Sequence, residues 1–178
     1  AMAIEAAREQ AEKDRQRLIE EIEQEKLEAV KSGDEKAYKR AVEQRNALLK
    51  KAREESIGAQ QFEPWEQKMA TAGASLRQHR RRWLEDLAEP AATAQADLAS
   101  SERMDLRYEP ADECDTAEQF LEALEARRQR EVARGSSIVG PHRDDFAIEV
   151  EGMDARAHAS QGQQRTAAIA LKLGTWRL

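Results

Sequence analysis

The chain has 178 residues, of which 36% are charged and 4% aromatic, and its formal net charge is −6. The low aromatic content, with 8 Gly and 4 Pro, argues against a β-sandwich or barrel, and 40% apolar residues argue against complete disorder. The single cysteine, Cys114, excludes a disulfide framework and a zinc site built on cysteines, and no apolar run approaches the ~20 residues of a membrane-spanning helix.

The first hundred residues predict a helical arm of about four helices. Residues 1–31 contain neither Gly nor Pro and carry a thin apolar stripe, which is typical of a coiled-coil or bundle helix. Ser32 and Glu35 have the spacing of a capping box, so a second helix is expected to begin there and to end near Gly58.

The third predicted helix begins near Pro64 and ends at Pro90, since proline interrupts the backbone hydrogen bonds of a helix. An Ala-rich helix is expected over residues 91–102. The third helix has the clearest apolar stripe of the chain, formed by Phe62, Trp65, Met69, Ala72, Leu76, Trp83 and Leu87.

The pattern changes near residue 104. Alternating residues predict strands at 104–108 and 146–150, and residues 136–139 are expected to form a third, short strand. A turn at 151–154 would let residues 155–159 pair back as a β-hairpin.

Two further helices are predicted in this part of the chain. Thr116 and Gln119 form a capping box that opens a helix to about Arg134, with Gly135 as its C-cap. The last helix spans 162–173 and is nearly all apolar after Thr166, so we expect it to be buried.

The fold class expected from these elements is α+β, mostly α. A helical arm over residues 1–103 is followed by a small α+β lobe with a β-hairpin over residues 104–178.

One polar cluster lies between two predicted strands and contains His142, Arg143, Asp144 and Asp145. Two carboxylates beside an arginine and a histidine suit a metal or a phosphate, whereas a turn with a local ion pair explains the same residues without a ligand. A metal hydrolase around His142, Asp144 and Asp145 is disfavoured, because the sequence supplies too few ligands. No metal site is therefore predicted.

A second polar cluster, Ser160–Thr166, directly precedes the last helix. The first turn of a helix has unpaired N–H groups and a partial positive charge, and Gly162 would let a ligand approach the backbone closely. A phosphate suits this cluster, and an ordinary N-cap by Ser160 is the alternative.

Both clusters resemble motifs of one protein family. Gly-Pro-His-Arg-Asp-Asp-Phe at 140–146, with Ala-Ser-Gln-Gly-Gln-Gln-Arg-Thr-Ala-Ala-Ile-Ala-Leu-Lys-Leu at 159–173, is similar to the RecF family of bacterial DNA replication and repair proteins. Tyr38 and the run Gln-Arg-Asn-Ala-Leu-Leu-Lys at 44–50 resemble the same family's helical arm. The similarity extends over residues 38–173, and residues 1–31 look like a divergent or foreign extension.

The resemblance implies the head of an ABC-type ATPase with an inserted helical arm. Such proteins bind ATP and Mg²⁺ and dimerise on ATP, and the phosphate loop of one molecule faces the signature motif of the other. Ser160, Gln161, Gly162 and Gln163 would then be signature residues that contact the γ-phosphate in trans. Residues 142–145 match a family motif that would shape the nucleotide edge or couple it to the arm.

The family resemblance also implies DNA, RecR and RecO as partners, recombinase loading at single-stranded gaps, a role in recombination and the SOS response, and a cytoplasmic, nucleoid-associated location. Possible DNA contacts are Arg77, Arg80, Arg81 and Arg82, a basic run whose alternative explanation is a solvated helix face. A helical interaction module without a nucleotide role is the competing function.

Two catalytic motifs of such ATPases are missing from the sequence. No glycine is followed by lysine, so no Walker A motif is present, and no apolar strand ends in the acids of a Walker B motif. We therefore expect a fragment of a larger ATPase, without catalytic residues of its own, without bound nucleotide and without ATPase activity when alone.

Overall fold

The structure is a computed structural model that describes residues 33–99 and 102–178. The helix predicted over residues 1–31 lies outside the described residues. Eight elements follow in chain order: α1 Gly33–Lys51, α2 Ala59–Leu98, β1 Met104–Glu109, α3 Ala117–Arg134, β2 Asp145–Val150, β3 Met153–Asp154, α4 Ala155–His158 and α5 Gln161–Arg177. The predicted α+β class with mostly helix is confirmed.

Helix α2 is longer than the sequence predicts. It continues through Pro90 to Leu98, so the helix end predicted at Pro90 is wrong. Proline in a helix interior costs roughly 3 kcal/mol. Ala91 and Ala94 directly after it are fully buried, and their packing offsets this cost.

The apolar stripe of α2 also differs in one place. Phe62, Met69 and Leu87 are buried as predicted, but Trp83 is 47% exposed, and the neighbouring Leu84 is buried in its place.

The strands form one sheet with the order β1–β2–β3. Strands β1 and β2 confirm the two alternating patterns, whereas residues 136–139 form no strand. The hairpin is shorter than predicted: Val150 pairs with Met153 around a two-residue turn, and residues 155–158 are helical. Both turn residues, Glu151 and Gly152, have positive φ, as a tight hairpin turn requires.

The caps of α3 confirm the sequence prediction. The Thr116 side chain accepts a hydrogen bond from the backbone N–H of Gln119, whose side chain bonds back to Thr116. Gly135 is the left-handed C-cap.

Contacts divide the chain into two compact units. The described part of unit 1 comprises residues 83–99, 102–107 and 147–178, and that of unit 2 comprises 33–82 and 108–146. Each unit thus combines separate segments of the chain.

Each unit has its own apolar core. The core of unit 1 contains Leu87, Met104, Val150, Ala167 and Ala170. The core of unit 2 contains Tyr38, Met69, Cys114, Phe120, Leu124 and Val139. In the described chain, no helix combines the length and the apolar character that a membrane crossing requires.

Candidate functional site

The first turn of α5, in unit 1, is closed by a capping box. The Ser160 Oγ accepts a hydrogen bond from the Gln163 N–H at 3.2 Å, and the Gln163 Oε1 accepts one from the Ser160 N–H at 2.9 Å. Gln164 donates to the carbonyl oxygens of Ala155 and Ala159, which holds α4 against this turn. The N-cap predicted at Ser160 is thus present, and Gln164 links its turn to the residues of α4 and Ala159.

Three donors of this turn remain available to a ligand. The N–H groups of Gln161 and Gly162 are the first of the helix and have no intrahelical acceptor, and both residues are exposed. The Ser160 hydroxyl accepts one bond and retains its own hydrogen for donation. The first turn of α5 contains no acidic residue, so its partial positive charge is not neutralised from within the turn.

Gln163, the fourth predicted signature residue, has its side chain bonded within the protein. Both ends of the Gln163 side-chain amide are engaged, the oxygen with Ser160 and the nitrogen with Glu102 at 3.2 Å. Gln163 therefore supports the turn and does not present its amide to a ligand.

Gly162 is not required by the conformation of this chain. Its φ lies outside the left-handed region, and an added Cβ would meet only the Ser160 Oγ, at an ordinary 3.8 Å. Glycine weakens a helix relative to alanine by up to about 1 kcal/mol. Position 162 therefore leaves the backbone of the first turn open to close approach.

Helix α5 is only partly buried, in contrast to the prediction. Ala167, Ala170 and Gly174 face the core of unit 1, but Ile169 is 50% exposed. The mostly apolar part of α5 after Thr166 thus has a solvent-exposed face in the described structure.

The cluster at 140–146 lies in unit 2, where its members are mostly engaged with one another and with α1 and α2. The Tyr38 hydroxyl lies 2.7 Å from the His142 Nδ1, and the His142 Nε2 lies 3.2 Å from the Ser137 carbonyl oxygen. Because a carbonyl only accepts, the Nε2 carries the hydrogen, and the neutral ring accepts from Tyr38 at Nδ1. Gly140 has φ 120°, and a Cβ there would collide with the Tyr38 hydroxyl.

Asp144 is the centre of the largest polar network in this cluster. Its carboxylate accepts from the Arg77 Nε at 2.8 Å, the Arg77 Nη2 at 2.7 Å, the Tyr108 hydroxyl at 2.5 Å and the Ala111 N–H at 2.9 Å. The side chains of Arg77 and Asp144 are both 1% exposed. Asp144 is thus in an ion pair, but its partner is Arg77 on α2 and not a residue of the turn itself.

Asp112 completes the network on the other side of Arg77. It accepts from the Arg77 Nη1 at 2.8 Å and from the Gly140 N–H at 2.9 Å, and Arg77 also donates to the Cys114 carbonyl. Each of the three guanidinium nitrogens of Arg77 donates to a protein acceptor, so the loops at 110–115 and 140–146 are held on α2.

Burial and charge shift several pKa values in this network. Burial alone would raise the pKa of Asp112, but the hydrogen bonds from Arg77 and Gly140 outweigh it and lower the pKa. Burial and the hydrogen bond to Asp144 raise the pKa of Tyr108 to about 12. Burial lowers the pKa of His142, and the nearby Arg143 adds to this effect, which keeps the ring neutral near pH 7.

A second buried network escaped the sequence prediction. Arg45, which is fully buried, donates to Glu66 at 3.0 Å and to the Ser137 hydroxyl at 2.8 Å, and its Nη2 lies 2.6 Å from the Glu131 Oε2 in an ion pair. Arg128 contacts the other oxygen of Glu66 at 2.6 Å. One signal was available in the sequence: Glu131 lies on the helix face of Phe120 and Leu124, where an acid requires a buried partner.

The four arginines predicted to contact DNA have unequal positions. Arg77 is buried with its donors engaged, so it cannot reach a phosphate. Arg80 donates to the Pro141 carbonyl at 2.6 Å, and Arg81 pairs with Asp115 at 2.7 Å beside the Tyr108 ring. Arg82 is exposed.

The part of the chain that the structure describes contains no group of three His, Cys, Asp or Glu side chains arranged to hold a metal ion. Asp144, one of the residues considered for a metal, is instead paired with Arg77.

Comparison with known proteins identifies the family. The chain is 37% identical over 140 residues to the DNA replication and repair protein RecF of Moorella thermoacetica and 39% identical over 154 residues to that of Synechococcus sp. (strain JA-3-3Ab). Each match includes 79% of this chain. Over this matched part, the chain belongs to the RecF family. No protein-family model matches the chain.

A solved structure agrees with this assignment. The recombination mediator protein RecF with ATP, of the RecFOR pathway, aligns with 80% of this chain at a TM-score of 0.74 and 32% identity. The chain spans about 40% of the length of that protein and 37–40% of the two curated relatives. The chain is thus RecF-like in sequence and in fold over the matched part.

Proposed function

We propose that this chain supplies the signature turn of an ATP-dependent dimer in a RecF-type DNA-repair ATPase. The hydroxyl of Ser160 and the N–H groups of Gln161 and Gly162 contact the γ-phosphate of an ATP molecule that the partner's phosphate loop holds. The observation that carries the proposal is Gly162, an exposed helical glycine that the chain itself does not need.

The donor set suits this ligand. Two backbone N–H groups, one hydroxyl and the positive end of the α5 dipole form an anion site. No residue of the first turn is acidic, and the nearby Glu102 is hydrogen-bonded to the Gln163 side chain. The sequence has no Walker A lysine, so in this proposal the ATP and its Mg²⁺ are held by the partner's Walker motifs. This chain binds no nucleotide and hydrolyses none when alone.

The proposed partners of the protein are DNA, RecR and RecO, and the proposed result of their assembly is the loading of recombinase at gaps. In unit 2, Arg82 is exposed, and Arg80 and Arg81 each use only part of the guanidinium group on the protein. These three arginines are the proposed phosphate contacts, and Arg77 is omitted because it is buried. Because such contacts release counterions, DNA binding would weaken as the salt concentration rises.

Sedimentation velocity with an ATP-binding relative tests the nucleotide role. The chain is mixed with Moorella thermoacetica RecF in ATPγS, in ADP and without nucleotide. We expect association in ATPγS only. Ser160→Arg should weaken it at least about tenfold, because the side chain removes the hydroxyl and fills the space of the phosphate.

Two further variants make this test specific. Gly162→Ala should leave the fold intact and still weaken association, because the methyl group prevents close approach. Gln129→Arg adds the same charge at an exposed position of α3 and should associate like the wild type. Association that is equal without nucleotide, or that survives Ser160→Arg, would favour the helical interaction module and overturn the nucleotide role.

A further inference from the structure

Hydrogen bonds between side chains connect the first turn of α5 to the end of α2, within unit 1. The Gln163 Nε2 donates to the Glu102 Oε1 at 3.2 Å, and the Gln95 Nε2 donates to the Glu102 Oε2 at 3.0 Å. We call this chain of three residues the Gln95–Glu102–Gln163 bridge.

The stability of the fold does not explain why position 95, the buried end of the bridge, is a glutamine. Gln95 is fully buried, and its Oε1 has no hydrogen-bond partner among the described residues. An unpaired buried polar atom costs about 1–3 kcal/mol. Its helix neighbours Ala91 and Ala94 belong to the apolar core, so a leucine would suit position 95 at least as well. The glutamine therefore serves to hold Glu102.

Glu102 in turn determines how Gln163 is oriented. A carboxylate only accepts hydrogen bonds, so the Nε2 of Gln163 faces Glu102 and its Oε1 faces the Ser160 N–H. This orientation completes the capping box and fixes the backbone from Ser160 to Gln163. The N–H groups of Gln161 and Gly162 lie between these two anchors.

We propose that Glu102 is the positioning residue of the signature turn, and that Gln95 holds Glu102 in place for this purpose. The inference rests on the proposed function where it is tested by ATP-dependent association with a partner. Its second test, amide exchange in the turn, depends on this chain alone. Glu102 touches no ligand; it acts through Gln163.

Amide hydrogen exchange and docking together test the bridge in the full chain. Glu102→Ala should speed exchange of the hydrogen-bonded amides of Ser160, Gln163 and Gln164 by about tenfold and weaken ATPγS-dependent association by a similar factor, as expected for the loss of a hydrogen bond to a charged group. Glu102→Gln should largely restore both, because its amide oxygen still accepts from Gln163, and its nitrogen can donate to the Gln95 Oε1 once the Gln95 amide has flipped. Glu122→Ala, an exposed acid on α3, is the matched control.

Gln95→Leu separates positioning from folding. We expect a thermal midpoint equal to or above that of the wild type, together with faster exchange of the Ser160, Gln163 and Gln164 amides and weaker association. A merely structural role would move the midpoint and the association together. If exchange is unchanged in both Glu102→Ala and Gln95→Leu, or if the wild type docks and both variants dock equally well, the inference is overturned. If the wild type does not dock, the proposed function fails, and the exchange data still decide whether the bridge positions the turn.

Discussion

Replacing Asp144 by alanine should severely destabilise the protein. The change removes the acceptor of four hydrogen bonds and leaves Arg77 with two donating nitrogens unpaired in a site where its side chain is 1% exposed. Breaking a buried ion pair from one side costs about 3–5 kcal/mol. In a chain of this length each kcal/mol lowers the thermal midpoint by roughly 2–4 °C, so we expect a decrease of about 6–20 °C.

Calorimetry and urea unfolding, monitored by circular dichroism, measure this effect. Arg143→Ala is the control, because Arg143 is the exposed neighbour in the same motif, and its loss should change the free energy of unfolding by less than about 0.5 kcal/mol. The double variant Arg77→Met with Asp144→Leu should not recover the lost stability, since it leaves the buried Asp112 carboxylate without its arginine. If Asp144→Ala is no less stable than Arg143→Ala, the buried network is not what anchors this motif.

Three other predictions concern the core and pH. The pKa of Asp112 is lowered, so this carboxyl group binds fewer protons in the folded than in the unfolded state. The free energy of unfolding should therefore fall as the pH drops below about 4. In urea titrations, Asp112→Asn should flatten this pH dependence. Tyr108 has its pKa raised to about 12 and keeps its proton longer in the folded state, so stability should decrease from pH 10 to about 12, and Tyr108→Phe should remove part of that decrease. Gly174→Ala should lower the thermal midpoint, because the new Cβ would lie 2.8 Å from the Ala91 backbone. Helix propensity alone predicts a raised midpoint, and that result would show that the close α2–α5 contact does not form.

Local patterns predicted most of the secondary structure. The capping boxes at Thr116 and Ser160 are interactions between residues three positions apart, so the sequence contains everything needed to recognise them. The strands β1 and β2 follow from alternation for the same reason.

Errors occurred where distant contacts override local preference. Pro90 interrupts a helix in isolation, but the buried residues after it keep α2 continuous. Ile138 and Val139 favour a β-strand. The backbone N–H groups of Ser137 and Ile138 instead donate to the side chains of Asn46 and Glu131, so they form no strand ladder.

The candidate site was predictable to a similar extent. Ser160 and Gly162 follow from helix capping and from the RecF-like motif. The roles of Gln95, Glu102 and Arg77 depend on partners 7 to 67 residues away in the chain, which no local pattern specifies. Arg77 illustrates the consequence: in the sequence it belongs to an arginine run typical of DNA contacts, and in the structure it is a buried ion-pair residue.

Nuclear magnetic resonance of the chain labelled with ¹⁵N-glycine tests the central claim most directly. The chain has 8 glycines, and Gly162 lies in the signature turn, whereas Gly135 and Gly140 are buried in unit 2. Addition of unlabelled Moorella thermoacetica RecF with ATPγS should shift or broaden the Gly162 amide signal, leave those of Gly135 and Gly140 in place, and have no effect with ADP. A Gly162 signal that is unchanged with ATPγS, or that changes equally with ADP, would contradict the assignment of this turn to the γ-phosphate.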